Sequence, residues 1–292
     1  MSDVHSTWGD WFVHAEVEAV DPSGLSTWYL GCNGFALRTP ETTIYVDPYF
    51  GDGRPPNLVR MAPVPMDAND ATRCDAVLVT HEHVDHMHPP SFKPLVEGLG
   101  ASLYAPSASY EEATCDVDVS DYAERCETVE AGDRFEVGDL IVHVRGANDP
   151  DAVEPVSYVL EHESGTFFHG GDSRSAETFA SVGREFDIDA GVLAFGSNGR
   201  RFDPAAGETV HSNVYMNEDQ VLEAANDLQL DRLLPTHYGM WKGLDGDPTS
   251  LVEHAASFEY PRVIEPITVG DRVDVHRPGI VPMDALTRGE AG

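Results

Sequence analysis

The sequence predicts an α/β protein built as a β-sandwich covered by helices on both faces. Two observations carry this: strand-like and helical stretches alternate in two halves, and each half is rich in hairpin signals that a single parallel sheet would not need. A third concerns chemistry. Several apolar runs stop at a histidine or an aspartate, so one end of the strands gathers metal-capable side chains.

Taken in order, residues 1–25 place Trp8, Trp11 and Phe12 among polar neighbours and read as an entry segment with a short helix. Thr27 to Arg38 reads as two strands around Asn33-Gly34, the commonest hairpin signal. Thr42 to Val46 is a third strand ending at Asp47-Pro48. Asp47 there could hold a ligand histidine by its free ring nitrogen, or cap a turn before proline. Residues 51–69 read as a long Gly-, Pro- and Asp-rich loop of the kind that forms lids or substrate walls, with Arg54 and Arg60 its positive charges.

Asp75 to Val79 is an apolar strand, and a helix is expected from Pro89 through Leu99. A short strand at 102–105 precedes an acid-rich helix or loop. Paired strands follow around Gly138-Asp139 and around Ser164-Gly165, the second pair running into Gly170-Gly171-Asp172. Residues 189–195 form a strand. Asn217 to Gln220 fits a capping box that opens an amphipathic helix burying Val221, Leu222, Ala225 and Leu228. Arg232 to His237 is a strand ending in histidine, and a helix at about 248–258 with strands near 262–265 and 271–276 closes the fold. No convincing linker interrupts the 292 residues, so one domain is expected over 1–292, with its core at about 27–276.

The densest chemistry lies in Thr80-His81-Glu82-His83-Val84-Asp85-His86, directly after the 75–79 strand. In an extended segment side chains two apart point the same way, so His81 and His83 can share one metal while Glu82 points elsewhere. The chain must then turn, bringing Asp85 and His86 round toward a second metal. Imidazoles with carboxylates suit zinc, manganese or iron, and two adjacent sites suggest hydrolysis.

With Asp149, Asp172 and His237 also at strand ends, the arrangement resembles the metallo-β-lactamase fold, a four-layer αββα sandwich, whose H-x-H-x-D-H motif stands intact from His81 to His86. The resemblance implies a cofactor of two divalent ions, Mn2+ or Zn2+. His81 and His83 would hold the first, with Asp172 bridging; Asp85, His86, Asp172 and His237 would hold the second. For the remaining ligand of the first ion Asp149 is the nearest match and His143 a poorer one, since His143 lies inside a strand.

The stretches Trp28-Tyr29-Leu30-Gly31-Cys32-Asn33-Gly34-Phe35, Gly170 to Ser173, Phe195 to Arg200 and His237 to Trp241 resemble the L-ascorbate-6-phosphate lactonase family of this fold, over about Trp28 to Pro248. That likeness implies an enzyme in which a hydroxide between two metals opens a small, sugar-phosphate lactone, with Asp85 and Asp172 as catalytic carboxylates. Arg200 is the first choice for a substrate phosphate, with Arg174 and Arg54 behind it. Asn198 lies in the same stretch, and Trp241 could wall the pocket. This sequence departs from the family at Arg174, in a shorter 47–75 loop, and in residues 201–215, which look inserted. His88, His169 and His211 are assigned structural or solvent roles. A phosphodiesterase acting on cyclic nucleotides or other small phosphate esters is the alternative. A non-hydrolytic di-iron module is disfavoured, because His83 stands where those relatives carry glutamate.

Composition bounds the rest. Against 51 acidic residues stand 18 basic ones, for a formal charge of -33, and only Lys93 and Lys242 are lysines. This acidity resembles proteins of salt-loving archaea and argues against nucleic acid as a partner. The expected partners are a small-molecule substrate and, at most, further copies of the chain in a homo-oligomer. No apolar run approaches a membrane span and residues 1–5 lack signal-peptide character, so a cytoplasmic location is expected. Cys32, Cys74, Cys115 and Cys126 are widely spaced and read as reduced thiols.

Overall fold

The computed structural model describes residues 6–111, 113 and 117–277; Met1 to His5 and Cys115 lie outside the described residues. Strands β1 (Leu25–Gly31), β2 (Gly34–Arg38) and β3 (Thr43–Val46) form an antiparallel meander, and the next loop carries a small hairpin of β4 (Gly53–Arg54) and β5 (Leu58–Val59). Parallel strands β6 (Ala76–Leu78), β7 (Ser102–Ala105) and β8 (Cys126–Thr128) extend the first sheet from β3.

The second sheet repeats the plan. Antiparallel β9 (Arg134–Val137), β10 (Leu140–Gly146), β11 (Val156–His162) and β12 (Gly165–His169) lead to parallel β13 (Ala190–Ala194). A separate hairpin of β14 (Asn198–Asp203) and β15 (Glu208–Asn213) intervenes before β16 (Arg232–Thr236), which pairs with β13. Strand β17 (Leu244–Asp245) pairs with β14, β18 (Val263–Ile264) edges the second sheet, and β19 (Arg272–Val275) returns to lie beside β1.

The period of two along the strands sorts side chains into layers. Phe35, Leu37, Ile44, Val46, Tyr158, Leu160, Phe167 and Val192 meet in one core between the sheets. Their alternates on the first sheet, Ala36 and Tyr45, face outward onto Phe92, Leu95 and Phe12. On the second sheet Val159, Phe168 and Leu193 face Phe179, Val221 and Leu222. Both faces of both sheets are therefore covered, which is why their strands read as continuous apolar runs rather than alternating ones. The architecture is the αββα sandwich.

Several local expectations are corrected. The first hairpin turns on Cys32-Asn33, with Gly31 opposite Gly34 and Cys32 at φ 52°, one residue earlier than the Asn33-Gly34 signal suggests. The 89–99 helix is α-helical only over Pro89–Lys93 and continues as a π-helical turn over Pro94–Gly98, because Pro94 has no N–H to donate. Strand β6 stops at Leu78, so His81 and His83 do not owe their adjacency to strand alternation; they lie on a turn whose His83 carbonyl accepts from the amides of His86 and Met87. The 201–215 stretch is mostly the β14–β15 hairpin, and β8 and the helix Phe179–Glu185 arise where no element is predicted.

Candidate metal centre

In both sheets the chemistry-bearing residues follow strand ends, where parallel strands leave a crevice beyond their carboxyl termini. Asp47 follows β3, His81 to His86 follow β6, Asp149 follows β10, Asp172 follows β12 and His237 follows β16. They converge as two donor sets, His81, His83, Asp149 and Asp172 in one and Asp85, His86, Asp172 and His237 in the other, the donor atoms of each lying within 4.8 Å of one another. Asp172 belongs to both.

In the first set Asp149 Oδ2 lies 3.5 Å from both His81 Nε2 and His83 Nδ1. In the second His86 Nε2 is 3.3 Å from Asp172 Oδ2, His237 Nε2 is 2.9 Å from Asp172 Oδ1, and Asp85 Oδ2 is 3.9 Å from His86 Nε2. His83 at 25% and Asp85 at 13% side-chain exposure are the most open members of their sets, so solvent reaches the pair there. His143 lies elsewhere, its Nε2 2.5 Å from Glu161 on the neighbouring strand.

The residues fit a pair of cations. His86 Nε2 and both ring nitrogens of His237 are buried without a hydrogen-bond partner, although carboxylate oxygens stand close by. Such orphaned lone pairs aimed at shared carboxylates are costly unless something cationic bonds them. A donor set of histidines with three carboxylates, one shared, suits manganese or zinc. Electrostatics agree. Burial and the nearby Asp172 carboxylate push the Asp149 carboxyl up to about 6. For Asp172 burial also works against the charge, but His237 and His86 outweigh it and hold its carboxyl well below the ordinary range.

Supporting contacts orient the ligands. Asp47 Oδ2 lies 2.7 Å from His86 Nδ1 and accepts the Thr80 hydroxyl at 2.7 Å, while Thr80 Oγ1 is 3.0 Å from His81 Nδ1. Both histidines thus turn Nε2 toward the donor sets, His81 Nε2 lying also 2.9 Å from His83 Nδ1. Glu82 points away, as expected, and accepts the Val153 amide. Gly171, at φ 57°, lets Asp172 approach: a Cβ there would lie 2.9 Å from Thr80 Oγ1. Among the described residues the non-glycine positions with positive φ are Cys32, Asp47, Ser197, Gln229 and His237, and all but Gln229 border this site. Strain concentrated there is what a tightly determined site shows.

Of the residues expected to meet substrate, Trp241 is buried with Tyr49 and Tyr215, and its indole N–H reaches the Tyr215 hydroxyl at 3.4 Å. Tyr215, missed by the sequence reading, lays its ring on His237 at 4.2 Å. Arg174 sits two residues beyond Asp172 with its guanidinium 3.5 Å from the Val214 carbonyl. Asn198 and Arg200 are exposed on β14, whose backbone joins the 243–245 segment. Arg60, by contrast, is buried and donates to the carbonyls of Leu30, Tyr49, Ala62 and Pro63, which excludes it from anion binding. His88 bonds Ser91, and His211 is exposed on β15. No helix among the described residues is long and apolar enough to cross a membrane.

Residues 42–238 match the family model of the β-lactamase superfamily domain. The chain is 26% identical to the "Probable L-ascorbate-6-phosphate lactonase UlaG" of Escherichia fergusonii, over 84% of this chain and 78% of that protein. In fold it is similar to Igni18, a metallo hydrolase of Ignicoccus hospitalis (TM-score 0.66, 16% identity, 86% of this chain and 97% of that one). It is similar also to CmlA, a diiron β-hydroxylase of Streptomyces venezuelae (TM-score 0.61, 16% identity, 88% and 55%).

Proposed function

The chain belongs to the β-lactamase superfamily as a metal-dependent hydrolase of the metallo-β-lactamase fold, and from that membership we propose that it opens a small anionic lactone, a sugar-phosphate lactone as first choice. The observation that carries this reading is Asp172 shared between two histidine-rich donor sets. His81, His83, Asp149 and Asp172 would hold one divalent ion and Asp85, His86, Asp172 and His237 the other. The ions would supply Lewis acidity and lower the pKa of water between them.

The chain's own groups would do the rest. Asp85, the least buried member of its donor set, is placed to take a proton from the attacking water. The water's oxygen bonds to the ester carbon, the ring C–O bond breaks, and the proton ends on the released alcohol, leaving a hydroxy acid. Tyr215 and Trp241 close the side behind His237 and keep bulk water from it. Residues 52–60, 197–203 and 239–245 carry Arg54, Arg200, Arg201 and Lys242, with Arg60 spent on backbone carbonyls, against Asp52, Asp203 and Asp245, in a chain of charge -33. Hydrogen bonds join these segments beside the site: Arg201 to Asn57, the Lys242 amide to Val59, and the Arg200 amide to Gly243. Arg54, Arg200 and Lys242 are exposed there, which favours an anionic substrate.

The test is hydrolysis after loading with Mn2+ or Zn2+, over a panel of neutral lactones, phosphorylated sugar lactones, cyclic nucleotides and bis-p-nitrophenyl phosphate. Preference for phosphorylated lactones, with KM raised in Arg200→Ala, is expected. Cleavage of the phosphodiesters alone would replace the lactone with that bond, and no turnover of any ester would refute the hydrolytic assignment.

A further inference from the structure

Asn33 stands at the first hairpin turn, wholly buried, and its amide donates to Asp172 Oδ1 at 2.7 Å. The Thr236 hydroxyl donates to the other end of the same amide, Asn33 Oδ1, at 2.6 Å. The carboxylate fixes which end is which, because an ionised Asp172 only accepts, so the NH2 faces it and the Asn33 oxygen is left to accept the Thr236 hydroxyl. The turn itself is held from below. His169 Nδ1 accepts the Gly171 amide at 3.3 Å, so Nε2 carries the proton and donates to the Asn33 carbonyl at 2.8 Å. One buried imidazole thus ties the backbone of Asn33 to the backbone just before Asp172.

We infer that Asn33, oriented by Thr236 and anchored by His169, is a positioning residue that fixes the Asp172 carboxylate between the two donor sets. This rests on the two-metal reading above. The geometry explains why a positioner is needed at this ligand. Asp172 Oδ1 faces His237 and Oδ2 faces His86, both in the second donor set, and an oxygen of the same carboxylate also lies within 4.8 Å of the His81, His83 and Asp149 donors, so a rotation of the carboxylate would disturb both sets. The Asn33 N–H occupies one side of Oδ1 and blocks that rotation. Burial of the whole network makes each member expensive to leave unpaired, which keeps it in one arrangement. A residue serving one donor set alone would affect one ion; Asn33 acts on the ligand common to both.

The test is a two-step Mn2+ titration by calorimetry on the full chain, with thermal unfolding of the metal-free protein measured beside it. Removal of supporting hydrogen bonds around metal ligands typically weakens affinity by about 10–100-fold. Asn33→Ala is expected to weaken both binding steps by that order, Thr236→Val to weaken both in the same direction, and Thr236→Ser to restore wild-type binding. Thr236→Val provides the readout should Asn33→Ala fail to fold. Variants that lower the metal-free unfolding temperature yet bind both ions as the wild type does would overturn the positioning role alone. Failure of the wild type itself to take up metal would overturn both this inference and the two-metal reading.

Discussion

The Asp47 carboxylate meets Nδ1 of His86 at 2.7 Å with both side chains fully buried. Asp47 reaches that position with a backbone φ of 45°, and its other contacts are the Thr80 amide and hydroxyl. It therefore orients ligands without being one. Asp47→Ala should weaken metal binding at the second donor set by about 10–100-fold and, because Asp47 reaches His81 only through Thr80, weaken the first set less. Metal analysis at limiting ion concentration would show one ion retained; two ions retained at wild-type affinity would remove Asp47 from this role.

Gly171 gives a stability prediction. Its φ is 57°, and a Cβ on it would lie only 2.9 Å from Thr80 Oγ1, which leaves no room for a side chain. Gly171→Ala should cost about 1–3 kcal/mol and displace Asp172. Unfolding by denaturant, together with metal content, measures the two effects separately.

Arg60 gives another. Its guanidinium satisfies four carbonyls around the 58–63 loop and packs against Gly31, where a Cβ would lie 2.4 Å from Nη2. Arg60→Met would leave those acceptors buried without donors, at a cost of about 3 kcal/mol. A stability within about 0.5 kcal/mol of wild type, by chemical unfolding, would contradict this role for Arg60.

Acid stability follows from Asp139, at a turn of the second sheet, which accepts hydrogen bonds at 2.6 Å from Thr39 and Thr42 at a turn of the first. Burial alone would raise its carboxyl, but these hydroxyls outweigh burial and hold it below the ordinary value. A depressed carboxyl contributes stability above its unfolded pKa of about 3.9 and loses it as pH falls through the folded value. Thr39→Val with Thr42→Val should therefore unfold more readily than wild type near neutrality, with the difference shrinking in strong acid to what the amides of Thr42 and Asp139 lose with these hydroxyls. A difference that persisted unchanged into strong acid would have another origin.

The convergence of the two donor sets was legible because histidine and aspartate at strand ends are conspicuous in sequence, and Asp149 could be preferred over His143 since a strand interior cannot reach the crevice. Asn33 was not legible for the opposite reason. Asn-Gly is a common turn signal that assigns the asparagine side chain to the turn, whereas the turn falls on Cys32-Asn33 and leaves the amide to bond Asp172. Thr80 and Thr236 each precede a ligand histidine, a repeat that could have drawn attention to both. Arg60 lies in a Gly- and Pro-rich loop where nothing local marks burial; only the packing of distant carbonyls around it does. The β14–β15 hairpin was missed because its strands are half exposed and polar, so they lack the apolar runs that reveal the sandwich.

The shared role of Asp172 is tested most directly by the number of metal ions per chain, measured by mass spectrometry in the wild type and in three variants after loading and desalting. Two ions are expected in the wild type, one in His83→Ala, one in His237→Ala, and none in Asp172→Ala. A wild type holding one ion, or an Asp172→Ala variant that keeps two, would contradict a pair of sites joined through that carboxylate.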